Sequence, residues 1–334
     1  MKRRDFLKTT LTTTLGSTAA VGISSQSVMA RGNLKPAPDA VGMLYDSTLC
    51  VGCKACVSAC KKTNNMPPVQ AKNKKDTADF ARDLSSKTLN VIKVYRNGNL
   101  AVKDRQINGF AFEKRSCMHC VDPGCVSVCP VTAMRHNPIT GIVTYHADAC
   151  IGCRNCMVGC PYNVPQFEYE NPFGQIQKCQ MCNQAGVEKI DKGGMTSCAE
   201  VCPTGATLFG SRKSLMAEAK KRMALKPGEV YNYPRGNLDK KPSHHEKEIP
   251  IYKKHIWGEK EAGGTNVLHI SSIDFDKLGM PPLKDRSSAS VAETVQHTLY
   301  QYMALPAVAL AGLAFTVAKN SNNDKDNDNK GDKK

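Results

Sequence analysis

The longest apolar run in this chain lies near its C-terminus. Leu299 to Val317, LYQYMALPAVALAGLAFTV, is 19 residues long, close to the roughly 20 that cross a bilayer core. Gln301 and Pro306 interrupt it, but proline is tolerated in membrane helices. Tyr300 and Tyr302 stand at one end, where aromatic belts form. The run therefore predicts a transmembrane helix over 299–317. The polar residues after it, 318–334, predict a disordered tail. Shorter patterns punctuate the rest. Leu89 to Tyr95 alternates as a strand does. The turn residues Asn137, Pro138, Ile139, Thr140 and Gly141, then the β-rich Ile142 to Tyr145, predict a hairpin. Leu215 to Leu225 reads as a surface helix stopped by Pro227 and Gly228. Lys61 to Lys87 is rich in Lys, Asn and Pro and reads as an exposed insertion. Gly263 and Gly264 read as a turn.

The N-terminal pattern is different. A basic head is followed by a mildly apolar Thr/Gly/Ala-rich segment and a small-residue end, Val28, Met29 and Ala30. That is a signal-peptide layout with cleavage expected after Ala30. Arg3 and Arg4, followed by Phe6, Leu7 and Lys8, resemble the twin-arginine export signal.

Cysteine changes the picture most. All 16 cysteines fall into four groups of four. Cys50, Cys53, Cys56 and Cys60 are spaced C-x2-C-x2-C-x3-C, and Cys150, Cys153, Cys156 and Cys160 repeat that spacing. Between them lie Cys117, Cys120, Cys125 and Cys129, spaced C-x2-C-x4-C-x3-C. Last come Cys179, Cys182, Cys198 and Cys202, spaced C-x2-C-x15-C-x3-C. Disulfides do not require such spacing, and neighbours three residues apart bridge poorly. The fourth group alone would pass for a zinc site. Three cysteines at x2 intervals with a fourth at x3 form the run of bacterial two-cluster ferredoxins, whose fourth cysteine ligates the other cluster. Gly52 and Gly152 would let backbone N–H groups approach sulfur. Pro130, Pro161 and Pro203 follow the fourth cysteines, while Lys61 takes that place in the first group. No C-x-x-C-H motif supports covalent haem.

The hairpin joins groups two and three into one ferredoxin unit, and groups one and four flank it. Crossover of each fourth cysteine then predicts four ligand sets: Cys50, Cys53, Cys56 and Cys202; Cys60, Cys179, Cys182 and Cys198; Cys117, Cys120, Cys125 and Cys160; and Cys129, Cys150, Cys153 and Cys156. The fold class expected is α+β: two nested two-cluster [4Fe–4S] ferredoxin units with insertions and one C-terminal transmembrane helix. The expected divisions are a signal peptide (1–30), the first cysteine group with its insertion (31–116), the central ferredoxin unit (117–161), the fourth group completing the outer unit (162–210), an extension (211–298), the helix (299–317) and the tail (318–334).

Charge at first suggests an acidic partner such as nucleic acid: 46 Lys+Arg stand against 30 Asp+Glu, a formal +16. Four oxidised clusters with their thiolates subtract about 8. Loss of the signal peptide, with Lys2, Arg3, Arg4 and Lys8 against Asp5, removes more, leaving about +5. No nucleic-acid motif is present. His119, inside the second cysteine loop, could tune its cluster but is read as a solvated loop residue. No nucleophile with a base, and no acid/base pair, stands out, so a non-catalytic chain is expected.

This ordered frame resembles the iron–sulfur electron-transfer subunits of membrane-associated respiratory oxidoreductases. The segments RRDFLK, MLYDSTLCVGC, CMHCVDPGCVSVCP, LMAEAKKRMALKPG and QHTLYQYMALP narrow the resemblance to the branch serving nickel–iron hydrogenases. The resemblance implies four [4Fe–4S] clusters, hydrogenase small and large subunits on one side and a quinone-reducing integral membrane subunit on the other. It implies a place on the periplasmic side of the inner membrane, with the tail in the cytoplasm. The same relay for a formate dehydrogenase or other molybdenum enzyme is the alternative. A zinc-stapled, membrane-tethered binding module is a distant one.

Overall fold

The computed structural model describes residues 31–69, 81–99, 102–171 and 173–331. The expected signal peptide lies outside them. The chain divides into two units, one of residues 32–290 and one holding residues 291–331 with Arg31.

In chain order the first unit runs β1 (Val41–Asp46), α1 (Ala55–Thr63), β2 (Asn90–Asn97), β3 (Val102–Lys103), β4 (Gly109–Ser116) and α2 (Gly124–Ser127). There follow β5 (Met134–His136), β6 (Val143–Tyr145), α3 (Asn155–Val158), β7 (Gln166–Phe167), β8 (Ile176–Gln177), α4 (Ser197–Glu200) and β9 (Thr207–Ser211). α5 (Arg212–Ala224), β10 (Val230–Asn237), β11 (Ser243–Glu248) and β12 (Val267–Ile270) complete it, and α6 runs over Ser288–Gly331.

Two antiparallel strand pairs frame the cysteine loops. β1, which leads into the first group, pairs with β9, which leaves the fourth, so that Met43 faces Phe209 and Tyr45 faces Thr207. β5, which leaves the second group, pairs with β6, which leads into the third, with Met134 opposite Tyr145. The inner pair is the hairpin expected at 137–145. The outer pair sits in a five-stranded sheet of order β11-β10-β9-β1-β12. The insertion forms a second sheet, β2-β4-β3, and the strand expected at 89–95 is β2. Each helix carries the third cysteine of its group, and the fourth lies within α1 or just past the end of the other three; α1 packs on α4, and α2 on α3. The second contact is close. A β-carbon on Gly124 would lie 2.5 Å from the carbonyl oxygen of Gly159, and one on Gly159 would lie 2.7 Å from Val128.

α5 covers the sheet less superficially than its sequence implies. Leu215 and Ala219 are buried, and so is Arg222. Its guanidinium meets Asp46 Oδ2 at 2.9 Å and Glu218 Oε1 at 2.8 Å. Tyr252 donates its hydroxyl to Asp46 at 2.6 Å, and the Thr48 amide donates to Asp46 Oδ1 at 3.0 Å. Burial opposes the Arg222 charge, but Asp46 and Glu218 outweigh it and hold the guanidinium protonated. Removing one member of such a network strands a buried charge and costs about 3–5 kcal/mol. The network also ties down the end of β1, four residues before Cys50.

The segment expected at 299–317 lies within α6. Pro306 does not end this helix. Its apolar side chains Leu299, Val308, Leu310, Phe315 and Val317 are exposed. Among the described residues no helix is long and apolar enough to cross a membrane, so the structure does not bear out the transmembrane expectation at 299–317. The tail expected to be disordered instead continues α6 to Gly331. Once a helix is nucleated, each further residue adds a hydrogen bond at small cost. The exposed insertion also needs correction at its start, since Lys61 is buried in α1.

Candidate iron–sulfur sites

Every cysteine loop turns on a left-handed residue two places after its first cysteine. These are Gly52 (φ 70°), His119 (φ 46°), Gly152 (φ 69°) and Met181 (φ 54°). The turn folds the chain back so that cysteines three apart face one space. It also aims an amide at sulfur: the Gly152 N–H points to Cys150 Sγ at 3.4 Å, and the Met181 N–H to Cys179 Sγ at 3.4 Å. Glycine is required at 52 for another reason. A β-carbon there would fall 2.3 Å from the Phe112 ring.

Cys50, Cys53, Cys56 and Cys202 line one cavity, with Tyr45, Ile92 and Thr207 among its walls. Cys60, Cys179, Cys182 and Cys198 line a second, closed by Met43, Asn90 and Lys114. Cys120 lies within electrostatic reach of Cys160, Cys125 and Cys117. Cys156 lies within electrostatic reach of Cys150, Cys129 and Cys153. In each gathering three thiols come from one stretch of chain and one from another. Only Cys53 and Cys153 are exposed, while the other fourteen are buried or half-buried. Among the described residues, no three His, Cys, Asp or Glu side chains gather as a single metal ion needs.

Burial, and then the neighbouring thiols, push these groups up: Cys125 to about 12, and Cys156 to about 11. Cys56, raised by burial, also reaches about 12 despite the nearby Lys114 ammonium. Such thiols keep their protons until iron replaces them, so cluster loading releases protons and is favoured as pH rises. Converging buried thiols with amides aimed at sulfur suit a [4Fe–4S] cage held by four thiolates.

Three further side chains stand at these sites. Lys114 is buried beside the second cavity. Lys178 is buried, and its ammonium donates to the carbonyls of Val143 and Cys179. His119 is wholly buried, which corrects its reading as a solvated loop residue. The amide of Val143, on β6, donates to its Nδ1 at 3.1 Å. The hairpin therefore covers the ring. Burial, and then the Lys178 ammonium, keep the imidazole neutral. Sequence patterns gave no sign of either lysine's burial; their closeness to Cys117 and Cys179 in sequence was the only available hint.

Residues 109–212 match the family model described as a 4Fe-4S dicluster domain. The chain is 49% identical over 324 residues to the Hydrogenase-2 operon protein HybA of Escherichia coli O157:H7, covering 97% of each chain. It shows the same identity and coverage with the HybA protein of Shigella flexneri. It is 34% identical over 204 residues to the Formate dehydrogenase-O iron-sulfur subunit of Escherichia coli K12, covering 58% of this chain and 63% of that one.

Proposed function

This chain belongs to the HybA family, and from that premise we propose that it relays electrons from a nickel–iron hydrogenase to a quinone-reducing membrane subunit. Bound [4Fe–4S] clusters supply one-electron carriers. The chain's own part is to hold four of them in line. The sixteen cysteines ligate them in the four gatherings described above.

The observation that carries this reading is that the gatherings follow one another within electrostatic reach. Cys56 of the first neighbours Cys198 of the second. Cys179 of the second neighbours Cys117 of the third. Cys125 of the third neighbours Cys156 of the fourth. The exposed cysteines Cys53 and Cys153 belong to the first and last gatherings, so electrons would enter and leave there. On this reading the chain acts as a carrier within a complex. The same relay for a formate dehydrogenase is the second reading, supported by likeness to a formate dehydrogenase subunit over 58% of this chain. The 97% coverage with HybA proteins favours hydrogenase. The relay is tested by mixing the cluster-loaded chain with the hydrogenase under hydrogen. Its visible iron–thiolate absorbance should bleach, and failure to bleach beside an active hydrogenase would refute the reading.

Location is part of the proposal. The twin-arginine signal suits export of a folded, loaded protein, because sixteen free thiols would meet an oxidising periplasm otherwise. The body would then lie outside the inner membrane and residues 299–317 would anchor it, leaving the tail in the cytoplasm. Support comes from the apolar side chains that this stretch exposes. The start of α6 also lies close to the last gatherings: Ser288 Oγ donates to the Gly159 carbonyl at 3.4 Å, next to Cys160. A chain ending at residue 298 should shift from the membrane to the soluble fraction. Retention of that form in membranes stripped of partner subunits would contradict the anchor.

A further inference from the structure

Lys114 is a buried cation without a carboxylate. It lies on β4 with 2% of its surface exposed. Its ammonium donates to Thr207 Oγ1 at 3.5 Å, and among the described residues no carboxylate pairs with it. The adjacent Glu113 is engaged elsewhere, 2.6 Å from His269 Nδ1, and alternation along the strand sends the two side chains to opposite faces.

Its position explains what the charge faces. Thr207 is part of the wall around Cys50, Cys56 and Cys202. Lys114 itself is part of the wall around Cys60, Cys179 and Cys198. The ammonium thus stands between the first two gatherings. The sulfurs of Cys198 and Cys56, one from each gathering, lie within electrostatic reach of it. A buried ammonium needs an anion, and the anions available here are the sulfur cages.

We propose that Lys114 is the counter-charge shared by the first and second clusters, and that it raises the reduction potentials of both. Reduction adds one negative charge to a cage, and a fixed positive charge beside it favours the reduced form. One ammonium between two cages acts on both, so it also eases the repulsion between electrons on neighbouring sites. This rests on the ligand sets proposed above.

The test is redox titration followed by electron paramagnetic resonance on the loaded chain, with iron content measured alongside. Lys114→Met should make two of the four centres at least tenfold harder to reduce, about 59 mV lower for one electron, and leave the other two in place. Lys114→Arg, which keeps the charge, should stay near the unaltered protein. If Lys114→Met fails to load, Lys114→Gln replaces it. Loss of clusters in both neutral variants with retention in Lys114→Arg also reads as loss of a required counter-charge. Unshifted potentials, an equal shift in all four centres, or loss of clusters in all three variants would overturn the proposal. An unaltered chain without four one-electron centres would instead refute the ligand sets.

Discussion

Replacing Cys202 with alanine should remove the cluster of the first cysteine loop, not that of the group in which Cys202 stands. Cys202 shares its cavity with Cys50, Cys53 and Cys56. Its sequence neighbours Cys179, Cys182 and Cys198 surround a different one with Cys60. α4 ends at Glu200, so Cys202 lies past the helix and lines a different cavity from Cys198. The expected loss is one cluster, about a quarter of the iron if each holds four irons. Transfer from a hydrogenase should fall by orders of magnitude, because a missing relay site leaves a gap that no other site spans. Double variants identify the ligand set. Cys53→Ala with Cys202→Ala should lose no more iron than either single variant, since both residues serve one cluster. Cys179→Ala with Cys202→Ala should lose about twice as much, since they serve two. The opposite pattern would refute the crossover.

Such variants keep the protein's frame intact only if the loops are held independently of iron. The buried Asp46–Arg222 pair does this for the first loop, as the β5–β6 hairpin does around His119. The Asp46–Arg222 pair was not readable from local pattern. Asp46 and Arg222 lie on separate elements far apart in sequence, and pairing across such a distance has no periodic signature. Cysteine spacing was readable because a cubane fixes which neighbours can reach it. Turn chemistry likewise marked the 137–145 hairpin. Lys114 and Lys178 escaped notice for a physical reason: lysine normally signals solvent, and only the adjacent thiols make burial tolerable. His119 was misplaced because its loop seemed open in sequence, whereas the Val143 amide closes over it. The polar stretch after residue 317 was misjudged on composition, although a preceding helix carries it forward to Gly331.

On the proposed function, this chain is the electron path between hydrogen and quinone. A cell lacking it should keep its hydrogenase but lose the route onward, because the path requires all four sites in series and no second chain in the complex is expected to duplicate them. The deciding measurement is quinone reduction by membranes of a deletion strain, with hydrogen and formate supplied separately as donors and a soluble dye as an alternative acceptor. Hydrogen-dependent quinone reduction should fall to background, hydrogen-dependent dye reduction should persist, and formate-dependent quinone reduction should be unchanged. Full hydrogen-dependent quinone reduction in that strain would contradict the account; if formate-dependent reduction failed in its place, the relay would stand and its partner would be a formate dehydrogenase.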